Sequence, residues 1–120
     1  MRILNRVYAV LGWAIVALGG LHMLTTFRLS ASSPASRVWF FGSGIAMALV
    51  GALNLLHRSY GQLAPGLRVV CRSANVALTL FALVAGQITH STIAEYILIL
   101  GLLGGALLLS CLRSLHGADL

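Results

Sequence analysis

Eight residues in this chain could do chemistry together: His22, Thr26, Arg37, Trp39, Ser43, Gln87, His90 and Glu95. Glu95 supplies a carboxylate, His22 and His90 two imidazoles, and Arg37 a permanent cation. A carboxylate beside an imidazole can relay a proton, and with an arginine it can hold a polar headgroup or a cofactor. The residues form a set only if the fold brings them to one depth, so the elements that carry them come next.

Of 120 residues, 59% are apolar and only 8% charged, with a mean hydropathy of +0.97. A water-soluble domain of this size has too little interior to hide that much apolar surface. The composition therefore points to a bilayer as the solvent. The net charge of +6 comes from arginine alone, a usage typical of GC-rich bacterial genomes. These arginines stand singly at the ends of apolar runs, where they act as orientation signals and lipid contacts. Spread in that way they make no nucleic-acid-binding face. The two cysteines, Cys71 and Cys111, form no CxxC pair and no metal-ligand spacing with histidine, and are expected to be reduced and structural.

Four apolar stretches each have roughly the 20 residues that an α-helix needs to cross the hydrocarbon. They run over 8–27, 38–57, 69–89 and 92–112. The first connection carries Pro34, and the second carries Gly61, Pro65 and Gly66. The third is so short that helices 3 and 4 must form a tight hairpin. The fold expected is all-α: a single transmembrane domain, an antiparallel bundle of four membrane-spanning helices.

Six of the eight arginines (Arg2, Arg6, Arg58, Arg68, Arg72 and Arg113) fall on one side of this arrangement, and Arg28 and Arg37 on the other. Cytoplasmic segments carry the arginine excess, so both termini are expected in the cytoplasm of a bacterial inner membrane. The same bias argues against dual topology. A cleaved signal ending in the small residues of 31–36 is disfavoured, because the first apolar run is longer than a signal core.

Small residues mark the faces on which membrane helices approach closely. Such stripes are Gly12, Val16, Gly19 and Met23 on helix 1, and Gly44, Ala48, Gly51 and Asn54 on helix 2. Asn75, Thr79, Ala82 and Gly86 mark helix 3, and the Gly101/Gly105 pair on helix 4 serves internal packing or a homodimer.

The polar groups then sort by depth. Toward the cytoplasm, Asn54 lies a turn from Arg58, and Asn75 a turn from Arg72, so the two amides reach similar depth on antiparallel helices. They are expected to bond across helices 2 and 3, with Arg58, Arg68 and Arg72, beside His57, as a candidate lipid-headgroup site. The eight residues named first fall toward the periplasm, with His22 ~9 Å deeper than Arg28 by helical rise.

These features require only a non-enzymatic protein with no resident cofactor: an accessory subunit of a larger membrane complex, or a bundle binding a lipid or small ligand in a periplasmic-side pocket. Three alternatives use particular residues. His22 and His90 could ligate one b-type haem, with Gly19 and Gly86 admitting the porphyrin. His22 and Glu95 could act as acid and base in a membrane isomerase. In length and helix count the chain resembles the small multidrug resistance transporters, which implies a dimeric proton-coupled exporter with Glu95 as the coupling site. It departs from them in having no acidic residue in helix 1. HExxH, GxSxG and P-loop motifs are absent from the sequence.

Overall fold

The computed structural model describes residues 2–28 and 32–115, with side chains through Leu112. Part of the first connection, the Arg113 side chain and the tail from residue 116 lie outside the described residues. Four helices follow one another: α1 (Arg2–Thr26), α2 (Pro34–Tyr60), α3 (Pro65–Ile88) and α4 (Ile93–Leu115). Each is long and apolar enough to cross a membrane, which points to a multi-pass membrane protein.

Most helix ends lie beyond the apolar runs, because backbone hydrogen bonding continues where hydropathy falls. Helix α2 starts at Pro34, whose missing N–H costs nothing in a first turn, and the Ser33 hydroxyl accepts from the Ser36 N–H at 3.2 Å. The same helix closes at Gly61, whose N–H donates to the His57 carbonyl at 2.9 Å. Pro65 opens α3, and the Thr89 N–H ends it on the Ala85 carbonyl. His90 then takes φ 51°, the left-handed conformation that lets the chain reverse within a short turn.

The bundle measures 54 × 24 × 20 Å. Its neighbours in space run α1, α2, α3, α4 and back to α1, with α1 and α2 the closest pair. Glycine explains that closeness. A Cβ on Gly19 would sit 2.6 Å from the Gly44 carbonyl oxygen and the Ala48 nitrogen, and one on Gly51 would sit 2.8 Å from the Gly12 carbonyl oxygen. The glycines recur every seventh residue on both helices, two turns apart, so one seam of backbone contact runs along the pair.

On α4 the two glycines of the GxxxG pair part company. A Cβ on Gly105 would meet Leu11 at 3.3 Å, whereas Gly101 faces open space. Gly86 on α3 receives the ring of Tyr96, which locks the α3–α4 hairpin. A core of Ile15, Met47, Val50, Leu78, Leu103 and Ala106 draws on all four helices. Outside it the large side chains point away, as with Leu24 at 67% and Leu108 at 66% exposure. An apolar coat of that extent suits a lipid surround and no aqueous one.

Candidate functional site

Two regions of the bundle carry polar or open structure, and they lie at different depths. The first is a buried knot in the arginine-rich half. Asn54 on α2 is its hub. The Asn54 Oδ1 accepts from the Tyr8 hydroxyl at 2.8 Å, from Asn75 Nδ2 at 3.0 Å and from the Cys71 thiol at 3.5 Å. The Asn54 Nδ2 donates to Asn75 Oδ1 at 2.9 Å and to the Val50 carbonyl at 2.8 Å. Since Tyr8 gives its proton to Asn54, its oxygen is left to accept from His57 Nδ1 at 2.9 Å, which assigns a proton to that nitrogen.

Tyr8, Asn54, His57, Cys71 and Asn75 are each at most 2% exposed. A closed and mutually satisfied network of this kind ties helices together and offers no place for a substrate. Helix α1 meets α3 only diagonally across the bundle, yet the Tyr8 hydroxyl comes within 3.9 Å of Cys71 Sγ. The knot thus joins three helices by side chains alone. Above it, Arg58 Nε donates to Asn5 Oδ1 at 3.2 Å, and Arg72 Nε is buried with no hydrogen-bond partner.

The second region lies at the other end, where the eight candidate residues are divided rather than gathered. His22 is half-buried, its ring stacked on Phe40 with centroids 4.5 Å apart. The Thr26 hydroxyl is buried and donates to the His22 carbonyl at 2.9 Å. Glu95 is already engaged in its own helix: its Oε2 accepts the Thr92 N–H at 3.0 Å, and its N–H donates to the Thr92 hydroxyl at 3.3 Å. That reciprocal pair is a capping box, in which threonine and glutamate three apart satisfy the free donors of a helix start. Gln87 donates to the Tyr96 hydroxyl at 3.4 Å, and Arg37 and His90 are exposed.

Trp39 and Ser43 instead border an open-sided cleft of about 550 Å³ between α2 and α3. Gly42, Ala46 and Val50 continue its α2 wall, and Ala74, Ala77, Leu78 and Phe81 form the facing wall on α3. The cleft exists because small residues meet small residues. From the amide pair outward, α2 presents alanine and glycine toward α3, and α3 answers with two alanines, so the gap stays unfilled. Its inner end reaches Val50, one turn from Asn54. Ser43 spends its proton within its own helix, on the Phe40 carbonyl at 2.7 Å, so it adds little polarity to the wall.

Tyr8 and the cleft-lining alanines carry no role that the sequence points to, and the buried place of His57 in the knot is likewise not legible there. Tyr8 marks only the start of the first apolar run, and His57 reads as part of the arginine-rich headgroup border. The cleft alanines had a visible signal, a second small-residue face on α2 offset from the Gly44/Gly51 seam. Comparison with protein-family models, with curated proteins and with solved structures finds no match to this chain.

Proposed function

We propose that this chain is a non-enzymatic membrane bundle that holds one apolar lipid chain in the cleft between α2 and α3. In this reading it lies in a bacterial inner membrane with both termini in the cytoplasm, and the cleft opens in the periplasmic half. The cleft itself carries the proposal: about 550 Å³ of apolar-lined space opening from the bundle's side. From Trp39 to Val50 it follows eleven residue-to-residue steps of helix, ~16 Å by helical rise. That is a slot suited to an extended hydrocarbon chain. Apolar sites with few polar groups bind by shape, and orientation comes from groups at the mouth. Here those groups are Trp39, an aromatic suited to the headgroup level, and the exposed Arg37 two residues earlier.

Filling the slot tests the idea. Wild type and an Ala46→Phe/Ala77→Phe variant are purified through the same delipidating wash and analysed by native mass spectrometry. The filled variant is expected to retain one lipid fewer per chain than the wild type. An Ala52→Phe variant, altered at an exposed position away from the cleft, should keep that lipid. Equal retention in the filled variant, or none in the wild type, would sink the proposal.

A further inference from the structure

The arginine-rich end poses a charge problem that the described residues do not solve. Arg58, Arg68 and Arg72 are half-buried rather than extended into solvent. Among the described residues the only carboxylate is Glu95, at the opposite end of the bundle and committed to the Thr92 cap. The sequence's other acidic residue, Asp119, lies outside the described residues. Half-buried guanidinium groups without a carboxylate need some other anion to offset their loss of hydration.

The knot below sets where these cations stand. Because Asn54 and Asn75 bond to each other, α2 and α3 are held in register, and Arg58 and Arg72 come to the same level about one turn beyond the amides. The Arg58 guanidinium is steadied by Asn5 from α1. On Arg72 the Nε is sealed from solvent and makes no hydrogen bond, so burial has cost it water without supplying an acceptor. Arg68 stands one turn beyond Arg72 on the same helix. It lies in the first turn of α3, where Ala64 provides no side-chain cap for the free N–H groups. Every one of these features favours an anion, and a headgroup phosphate at the end of a membrane helix is the anion the setting supplies.

We infer that Arg58, Arg68 and Arg72 form a site for the phosphate of an anionic phospholipid headgroup at the junction of α2 and α3. Its guanidinium groups pair with the phosphate oxygens, and the lipid's tails lie along the outside of the bundle. The cleft shares the α2–α3 junction but runs from Val50 and Ala74 toward Trp39, away from these arginines.

The test presents purified protein with an equimolar mixture of phosphatidylglycerol and phosphatidylcholine carrying identical chains, and reads bound lipid by native mass spectrometry. The wild type should retain phosphatidylglycerol preferentially. Removing charge by Arg58→Gln and Arg72→Gln should lower that preference about fivefold per arginine. Removing the exposed pair Arg2 and Arg6 in the same way should leave it within twofold. If the glutamine variant does not fold, Arg58→Lys/Arg72→Lys keeps the charge, loses the planar fork, and should still weaken the preference. Equal losses in the site and control variants would mean diffuse attraction and overturn the site, as would no preference in the wild type. Displacement of the lipid by millimolar inorganic phosphate would overturn its assignment to a lipid.

Discussion

The Tyr8 hydroxyl of α1 donates to Asn54 Oδ1 of α2 at 2.8 Å, at the point where Asn75 of α3 donates to the same oxygen. One amide oxygen thereby fixes the relative height of three helices. Hydrophobic attraction cannot do this in a bilayer, because lipid tails compete for every apolar face. In a low-dielectric interior a misaligned donor stays unpaired, so the knot penalises slippage of any of the three helices.

Removing the hub should therefore cost more than removing a spoke. Tyr8→Phe deletes one donor to Asn54 and the acceptor for His57 and is expected to lower stability by about 1 kcal/mol, and Asn54→Ala by about 2–3 kcal/mol, since it strands Tyr8, Asn75 and Cys71 together. Replacing both amides by leucine should be milder than Asn54→Ala, because no orphaned amide remains. Unfolding titrations in mixed micelles would show the order, and Tyr8→Phe costing as much as Asn54→Ala would contradict the hub assignment.

The glycines give a prediction of opposite signs. Gly19→Ala and Gly51→Ala place a methyl against backbone atoms at under 3 Å and should destabilise by about 1–3 kcal/mol. Gly20→Ala and Gly101→Ala meet nothing within 4 Å and should be neutral or stabilising by roughly 0.5–1 kcal/mol through lost backbone freedom in the unfolded chain. Thermal unfolding of the four variants should separate them into two groups; a destabilising Gly101→Ala would reveal a close contact made by α4 in the assembled protein.

The helices and the glycine seam are legible in the sequence because length, hydropathy and small-residue spacing are local and periodic. The shared depth of Asn54 and Asn75 is legible too, since each lies a fixed number of residues from an arginine at the border. Tyr8 and His57 are not, because joining that pair depends on how α1 is rotated against α2, and rotation follows from the Gly12–Gly51 and Gly19–Gly44 contacts in three dimensions. The division of His22, Gln87, His90 and Glu95 has a local cause that depth alone misses. The spacing Thr92-x-x-Glu95 is a helix-start signature, and it competes for the carboxylate a pocket would have used.

Orientation can be checked directly. With six arginines bordering one face and two the other, a green fluorescent reporter fused after Leu120 should fluoresce, and alkaline phosphatase inserted after Ser91 should be active. The Arg58→Gln/Arg68→Gln/Arg72→Gln triple variant should weaken that preference and give mixed reporter signals. An active phosphatase fused after Leu120 in the unaltered chain would reverse the assignment and place the cleft in the cytoplasmic half.

Glu95 separates a structural role from a coupling role most cleanly. As the fourth residue of a capping box it needs an acceptor and no charge, so Glu95→Gln should retain the contact with the Thr92 N–H and change stability by less than about 0.5 kcal/mol. Glu95→Ala and Thr92→Ala each remove half of the box and should cost about 0.5–2 kcal/mol, with the double variant costing less than the sum because both act on one element. A proton-coupling carboxylate would behave differently: glutamine would abolish activity while leaving the fold intact, since an amide cannot take up and release the proton. Growth of overexpressing cells on a panel of lipophilic cations, read beside unfolding of the same variants, distinguishes the two. Resistance that depends on Glu95 and is lost in Glu95→Gln would assign the carboxylate to transport; unchanged growth together with stability loss confined to the alanine variants would assign it to the start of α4.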